Sequence, residues 1–227
     1  MTILKLPILV VGAYNIWKAL TPPHRSTLAE RFPPSLIGRF ALSFSTFLKT
    51  AHVLSCLCEA ALILSSQLMP TVLVHMPTKF QSATMAITPS FLIGSGLAIA
   101  GAQLRLACYR TLGRLFTFEM AIRKDHELIT TGPYAYVRHP AYAGLLMTMA
   151  GEAAIQCSRG SWLRECGLVE MLAMKVYLSI LISPMLLLTY SSTRRGWHED
   201  AILKAKFGDA WTEWAKETPY RLIPFIY

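Results

Sequence analysis

Five long apolar runs, each able to cross a lipid bilayer, limit the fold of this sequence more than any other feature. A membrane-spanning helix needs about 20 mostly apolar residues. Only 15% of the 227 residues are charged, against roughly 25% in soluble domains, so the chain lacks the polar surface of a soluble globule. The sequence therefore predicts an all-α, polytopic membrane helix bundle of about five transmembrane helices. The runs extend approximately over Thr2–Leu20, Leu42–Met69, Ala83–Cys108, Pro140–Cys157 and Gly167–Ser191.

The length favours a single domain over residues 1–227. Within it, residues 1–108 are predicted to supply the N-terminal transmembrane helices, and residues 109–227 hold most of the polar candidates. The first run is interpreted as a retained anchor, because the residues that follow it do not resemble a small-residue cleavage site for a signal peptide.

The distribution of positive charge predicts the orientation of the bundle. Of the 22 Lys and Arg residues, 14 lie on one side of the predicted spans and four on the other. Excess positive charge marks the cytoplasmic side, so the loop after the third run and the C-terminal tail are predicted to face the cytosol. The basic residues form no stripe with interleaved aromatics, which predicts a lipid bilayer and not nucleic acid as the partner.

The cysteines and histidines of the apolar runs predict no metal site. Cys56 and Cys58 lie within the second run and are interpreted as buried thiols, since the five cysteines form no CxxC pair. His52 and His75 have no matching set of ligands.

The stretch Glu119–Gly144 is the richest in candidate functional residues. Pro140 suits the first turn of a helix, which places His139 at the helix entry beside free backbone N–H groups able to hold an anion. A belt of Tyr and Arg at the membrane border is the alternative, and composition alone favours it.

The C-terminal tail contains a second candidate. Leu203, Phe207 and Trp211 repeat at i, i+4 and i+8, which predicts an amphipathic helix over Ala201–Trp214 lying on the cytoplasmic surface. Arg195 and Glu199 share one helix face. They form either part of a site or a surface ion pair, which stabilises a helix by only a few tenths of a kcal/mol.

Other polar or small residues inside the runs allow simpler interpretations. Gly94, Gly96 and Gly101 lack the spacing and the preceding strand of a dinucleotide fingerprint, so close helix packing is predicted. Glu59 and Glu152 are expected to face the bundle interior or a cavity. Glu152 is assigned to a substrate pocket, the alternative being a paired structural acid.

Taken together, these stretches resemble the isoprenylcysteine carboxyl methyltransferase family, from about Glu119 onward. The Arg-His-Pro-x-Tyr-x-Gly string is shared with membrane sterol and steroid reductases, but the motifs of the tail strengthen the match and favour a site over both alternatives above. The matching pieces are His126–Ile129, Gly132–Tyr134, Tyr136–Gly144, Arg195-x-x-x-Glu199-Asp200, Leu203, Phe207-Gly208 and Pro224–Ile226.

The resemblance implies a helical membrane methyltransferase of the endoplasmic reticulum. Such an enzyme uses S-adenosylmethionine (S-adenosyl-L-methionine) and methylates the C-terminal carboxylate of a prenylated cysteine. Arg195 would meet the substrate carboxylate, and Arg195 and Glu199 would be the catalytic residues. The residues implied to bind the cofactor are Glu119, His126, Glu127, Leu128, Ile129, Tyr134, His139, Pro140, Ala141, Tyr142 and Glu199.

Three other functions stay open at this point. The first is methylation of an isoprenoid natural product or a lipid. The second is NADPH-dependent reduction of a sterol or enone double bond, against which the Arg195 and Glu199 pair argues. The third is a non-catalytic membrane scaffold, which leaves the clustering of Tyr, His and Arg unexplained. The sequence predicts no oligomeric state.

Overall fold

The computed structural model describes residues 2–24, 36–68, 71, 74–75, 77–118 and 127–226. The described structure is 75% helix and contains no strand, which confirms the all-α prediction. The helices are α1 (Lys5–Ala19), α2 (Leu36–Leu68), α3 (Thr78–Gln81), α4 (Pro89–Leu112), α5 (Pro140–Cys157), α6 (Trp162–Glu165), α7 (Leu172–Phe207) and α8 (Asp209–Glu217).

Two helices in the described part of the chain are long and apolar enough to cross a membrane. They cover Leu42–Leu68 and Pro89–Leu115, which supports membrane association, while the count of five spans stays a prediction. The third predicted run begins later than expected. Thr88 caps its helix by accepting a hydrogen bond from the N–H of Phe91 at 3.3 Å, and Pro89 occupies the first turn, where its missing N–H costs nothing.

The fifth run continues well beyond its predicted end. Helix α7 passes through Arg195 and Glu199 and ends only at Phe207. The chain then turns at Gly208, whose φ is +54°, a conformation that glycine adopts without a steric penalty. The prediction of one continuous helix over Ala201–Trp214 is therefore wrong, because its first half belongs to α7 and its second half to α8. An interfacial position for this segment stays a prediction.

Helices α4 and α5 pack with their backbones almost in contact. A Cβ atom at Gly101 would lie 2.6 Å from the carbonyl oxygen of Gly144, and one at Gly151 would lie 2.4 Å from the backbone nitrogen of Ala98. Only residues without a side chain allow this approach, so the predicted role of Gly101 in helix packing is confirmed. The same holds for Gly94, whose Cβ would lie 3.0 Å from the carbonyl oxygen of Gly151, whereas the packing predicted for Gly96 is wrong, since a Cβ there would meet none of the described residues within 4 Å.

A buried arginine fixes the end of this helix pair. Arg105 Nε donates to the carbonyl oxygen of Ala19 and to Tyr109 Oη, both at 2.8 Å, and its Nη1 donates to the carbonyl oxygen of Ala141 at 3.1 Å. The carbonyl of Ala19 is one of the helix-terminal groups that lack an intrahelical partner. Arg105 thereby joins the C-terminal end of α1 to α4 and to the first turn of α5.

The predicted interior position of Glu59 is confirmed, since this residue is only 3% exposed. Its carboxylate forms an ion pair with Lys5 and accepts the backbone N–H of Trp162 at 3.4 Å. Lys5 Nζ also donates to the carbonyl oxygen of Gly160 at 2.9 Å and lies 4.2 Å from the ring centroid of Phe91. A buried charge needs such a full set of partners.

The cysteines are all unpaired, but their burial differs from the prediction. Cys108 and Cys166 are buried and Cys56 is half-buried, whereas Cys58 and Cys157 are exposed. The burial predicted for Cys58 is wrong, because this position of α2 faces away from the other helices. No group of three metal-ligating side chains occurs in the ranges searched.

We expect Gly101→Ala to lower the free energy of unfolding by about 1–3 kcal/mol, the usual cost of overpacking, because its Cβ would overlap the backbone of α5. Thermal unfolding in detergent measures this loss. Gly96→Ala is the matched control on the same helix, and alanine should raise helix stability there by up to about 1 kcal/mol. A Gly101→Ala protein as stable as Gly96→Ala would contradict the packing.

Candidate functional site

Three chain segments meet at the end of the bundle where α4 ends and α5 begins. They are the residues that precede α5, the second half of α7, and the tail that follows α8. A cluster of buried, mainly aromatic side chains from the end of α4, the entry of α5 and α8 lies at this end of the bundle, and Leu128, Ile129, Leu203 and Phe207 pack against it. Its members are Cys108, Tyr109, Phe116, Tyr134, Ala141, Trp211 and Trp214.

Backbone pairing holds the tail against the entry of α5. The N–H of Arg138 donates to the carbonyl oxygen of Tyr220 at 2.9 Å, and the N–H of His139 donates to that of Arg221 at 2.8 Å. As predicted, His139 is the residue that precedes the first turn, and Pro140 is the first residue of the helix. Both N–H groups, being otherwise unpaired near a helix end, are satisfied by the tail.

The imidazole of His139 lies between two carboxylates of α7. Its Nε2 is 3.0 Å from Asp200 Oδ1, and its Nδ1 is 3.5 Å from Glu199 Oε2. A Cβ atom at Gly196 would lie 3.1 Å from His139 Cδ2, so a glycine at this position lets α7 approach the ring. The sequence predicts an anion held by free backbone N–H groups at the helix entry. The carboxylates observed there contact the imidazole instead, and the N–H of His139 is bound by the carbonyl of Arg221.

Glu199 joins the two stretches that the sequence analysis selected. Its Oε1 accepts hydrogen bonds from Tyr142 Oη at 2.6 Å and from Arg195 Nε at 2.9 Å. The guanidinium carbon of Arg195 is 5.9 Å from the ring centroid of Tyr142. We call Arg195, Glu199, His139 and Tyr142 the Glu199 cluster. An isolated surface ion pair does not describe this arrangement, because the carboxylate also contacts two residues of another segment.

Charge pairing outweighs burial in setting the ionisation of this cluster. Burial opposes the charged form of Glu199, but the hydrogen bond from His139 and the charge of Arg195 lower its pKa to about 2. Burial opposes the charged form of His139 as well, which by itself would lower its pKa. The contacts of the imidazole with Asp200 and Glu199 outweigh this effect and raise the pKa to about 9. At neutral pH the cluster therefore holds an ionised carboxylate and a protonated imidazole.

Asp200 is a functional candidate that the sequence analysis missed as a site residue. Besides His139, its carboxylate accepts Arg221 Nε at 3.0 Å and lies 3.4 Å from Arg138 Nη1. Burial opposes its ionisation, and the contacts with His139, Arg138 and Arg221 lower its pKa. One buried carboxylate thus joins α7, the entry of α5 and the tail. Its place in the motif Arg195-x-x-x-Glu199-Asp200 was the sequence signal that could have identified it.

Several residues implied to bind a cofactor lie near the end of α4. A cavity of about 250 Å³ is lined there by Glu127 and Ile129, together with Arg110 and Arg114 and other residues of the segment 110–115. The two arginines were not selected from the sequence, although they lie four residues apart at the end of an apolar run.

Three further residues implied to bind the cofactor lie at or against the aromatic cluster. Leu128 packs on it from outside, and Tyr134 and Ala141 are buried members of it. The carbonyl oxygen of Tyr134 accepts a hydrogen bond from Trp214 Nε1 at 3.3 Å, and burial raises the pKa of the Tyr134 phenol well above its ordinary value. Glu119 and His126 lie outside the described residues.

The structure does not bring Glu152 to the Glu199 cluster. Glu152 follows Tyr142 by ten residues along α5, a distance of about 15 Å at the helical rise. Its Oε2 is 2.6 Å from His52 Nδ1, and its Oε1 accepts Gln156 Nε2 at 2.7 Å. Glu152 is therefore a paired acid, because α2 supplies a partner at its own level of the bundle, and its assignment to a substrate pocket stays a prediction.

We expect the stability of the folded protein to depend on pH through His139. A pKa raised from 6.5 to about 9 means that the protonated imidazole stabilises the folded state fully below pH 6.5, and that this contribution is lost as the pH rises through 9. The pKa of Glu199, lowered from 4.5 to about 2, adds a contribution that is complete above pH 4.5 and lost only in strong acid.

Thermal unfolding in detergent, measured from pH 6 to about 9.5, tests this dependence. The Tm of the wild type should fall more steeply with rising pH than the Tm of His139→Gln. Parallel curves for the two proteins would contradict a stabilising, protonated His139.

Comparison with known proteins finds similarity to isoprenylcysteine carboxyl methyltransferases. The sequence model of the isoprenylcysteine carboxyl methyltransferase (ICMT) family matches residues 93–164. Protein-S-isoprenylcysteine O-methyltransferase of Schizosaccharomyces pombe is 30% identical over 143 residues, which cover 58% of this chain and 52% of the relative. Protein-S-isoprenylcysteine O-methyltransferase B of Arabidopsis thaliana is 37% identical over 67 residues, or 29% of this chain and 34% of the relative.

A reductase is among the similar proteins. Delta(14)-sterol reductase TM7SF2 of Mus musculus is 34% identical over 102 residues, which cover 44% of this chain and 20% of the relative. The chain thus spans between a fifth and about half of the length of these three relatives. The resemblance to the isoprenylcysteine carboxyl methyltransferase family, predicted from the motifs, is confirmed by the family match over residues 93–164 and by relatives that carry that enzyme's name.

Proposed function

We propose that this protein is an S-adenosylmethionine-dependent membrane methyltransferase that esterifies the C-terminal carboxylate of a prenylated cysteine. The observation that carries the proposal is the Glu199 cluster, in which an arginine and a glutamate of α7 contact the entry of α5. Relatives named protein-S-isoprenylcysteine O-methyltransferase support the choice of acceptor. We further propose that the site faces the cytosol and that the membrane is the endoplasmic reticulum.

Methylation of a carboxylate requires little proton chemistry from the protein. A carboxylic acid with an ordinary pKa near 4 is already ionised at pH 7, so no general base is needed to activate it. The task is to hold the acceptor oxygen in line with the methyl group and to exclude water. Positioning of this kind can supply several kcal/mol of the barrier. The protonated His139 and the ionised Glu199 are consistent with such a site, since neither serves as a base at neutral pH.

Arg195 is suited to bind the acceptor carboxylate. A guanidinium has five N–H donors in a planar fork, and it binds a carboxylate through two parallel hydrogen bonds, which a lysine cannot do. The contact of Glu199 with Arg195 Nε sets the plane of this fork. Tyr142 and His139 in turn hold the glutamate. The cluster therefore fixes the direction from which Arg195 presents its donors.

The residues near the end of α4 fit the chemistry of the donor. S-adenosylmethionine, when bound, supplies a methyl group on a positively charged sulfonium and also carries an ammonium, a carboxylate and an adenine. The carboxylate of Glu127 suits the ammonium, and the guanidinium groups of Arg110 and Arg114 suit the carboxylate. Leu128, Ile129 and the nearby aromatic side chains offer an apolar surface for the adenine.

The membrane setting follows from the two substrates. A polar donor reaches the site from the aqueous phase, while a prenyl chain is soluble in the bilayer and enters between helices. An enzyme that joins them has to place its polar groups at the end of a membrane-spanning helix, and the end of α4 is such a place.

We expect Arg195→Lys and Glu199→Gln each to lower kcat/KM for methyl transfer by at least about 100-fold, the effect of losing roughly 2.7 kcal/mol of transition-state stabilisation. The assay uses labelled S-adenosylmethionine and a farnesylated cysteine in detergent. Arg194→Lys is the matched control, since Arg194 precedes Arg195 on α7 but is exposed and lies 5.3 Å from the ring of Tyr190. Near-normal turnover in Arg195→Lys would remove the assignment.

The similarity to a sterol reductase favours one second candidate, NADPH-dependent reduction of a double bond. Calorimetry of the purified protein with S-adenosylhomocysteine and with NADPH, in parallel, separates the two functions. We expect binding of S-adenosylhomocysteine and none of NADPH, and the reverse result would favour the reductase. If the methyl donor binds but a farnesylated cysteine is not methylated, the acceptor is an isoprenoid natural product or a lipid.

A further inference from the structure

The last described residues of the chain form an exposed apolar surface. Phe225 is 86% exposed, Ile226 is 78% exposed and Ile223 is 50% exposed. With Pro224 they form the segment Ile223–Ile226, which we call the apolar tip. Contiguous exposed apolar residues cost free energy in water, and they commonly mark a surface that another apolar medium covers.

The backbone of the apolar tip adds to this cost. Phe225 has φ +65°, in the left-handed region that bulky residues rarely adopt. Its ring contacts that of Tyr220 at a centroid distance of 5.4 Å yet stays largely exposed. An exposed ring is unfavourable in water, and the strained backbone adds to the cost of this conformation. Burial of the ring in an apolar medium would therefore stabilise the conformation.

The position of the apolar tip identifies lipid as that surrounding. The preceding residues, 218–222, form a strap on the entry of α5. Besides the backbone pairs of Arg138 and His139, Thr218 Oγ1 donates to the carbonyl oxygen of Ala135 at 3.4 Å, and Arg138 Nη2 donates to that of Pro219 at 3.1 Å. The residues that precede α5 pack against the last turn of α4, since a Cβ atom at Gly132 would lie 2.9 Å from Thr111 Oγ1, close to the end of the apolar span Pro89–Leu115. The strap, which contacts Ala135, therefore lies near the level where this span ends, and the tip follows the strap directly.

The side chains beside the apolar tip have the chemistry of a membrane border. The guanidinium carbon of Arg221 is 3.6 Å from the ring centroid of Trp197, and Trp197 is 56% exposed. Tryptophan is enriched where a protein crosses from hydrocarbon to water, and arginine extends its charge into the headgroups there. An apolar tip beside a stacked Trp and Arg has the residue composition of this border.

We propose that the apolar tip inserts into the bilayer and that the lipid thereby holds the strap on the Glu199 cluster. The connection runs through Arg221, which precedes the tip by two residues, binds Asp200 at 3.0 Å and accepts the backbone N–H of His139. Lipid contact at the tip thus favours the arrangement in which Asp200 holds His139. The inference does not depend on which reaction the site performs.

Quenching by brominated lipids tests the insertion. Phe225→Trp, reconstituted in nanodiscs, should lose more of its added tryptophan fluorescence to lipids brominated in the acyl chain than Glu217→Trp does. Glu217 is the matched control because it ends α8, close to the strap, and is exposed. We expect at least a twofold difference in the quenched fraction, and equal quenching of the two added tryptophans would overturn the proposal.

Limited proteolysis tests the hold on the strap. In the double variant Phe225→Ser, Ile226→Ser, trypsin cleavage after Arg221 in nanodiscs should be at least tenfold faster than in the wild type, because the strap would leave Asp200 more often. Glu217→Ser should be cleaved at the wild-type rate. Unchanged cleavage in the double variant would show that the lipid does not hold the strap. Neither experiment requires methyl transfer, so their outcome is separate from that of the proposed function.

Discussion

The close approach of the α4 and α5 backbones is the constraint on which the rest of the structure depends. Glycines at the contact allow the two helix axes to come nearer than any side chain would permit. Arg105 then ties the start of α5 to the end of α4 through the carbonyl of Ala141. The entry of α5, with His139 and Tyr142, therefore lies at the same end of the bundle as the cavity that Glu127 and Ile129 line. Without this packing the candidate donor and acceptor residues would have no common location.

Charge pairs hold α7 and the tail against the entry of α5, which the packing of α4 and α5 positions. Glu199 and Asp200 are adjacent in α7 and contact opposite nitrogens of one imidazole. Each carboxylate also binds arginine, Arg195 in the first case and Arg221 in the second. Such alternation of charges offsets the cost of burying them and fixes orientation at the same time. The imidazole thus connects the residue pair proposed for catalysis to the tail that closes over the helix entry.

Much of the helical content, and the contact between Arg195 and Glu199, could be predicted from the sequence for identifiable reasons. Apolar runs predict helices directly, and the pattern around Pro140 predicts the first residue of α5 correctly. The four-residue spacing of Arg195 and Glu199 was sufficient to predict a shared face.

The contacts of Asp200 could not be predicted from spacing, because its partners Arg138 and Arg221 are distant in the sequence. The pairing of Glu152 with His52 was equally hidden, since it depends on how α2 packs against α5. The repeat of Leu203, Phe207 and Trp211 looked continuous, but the turn at Gly208 divides it between α7 and α8.

The burial of Lys5 has a consequence for how the protein is made. Its ammonium is fully enclosed, and the groups that enclose it come from Glu59 on α2, Phe91 on α4 and the carbonyl of Gly160 after α5. During synthesis the first helix emerges long before residue 160 does. The full set of partners of this lysine is complete only once Gly160, 155 residues further along the chain, is in place. The final packing of the first helix therefore depends on a segment made much later than the helix itself.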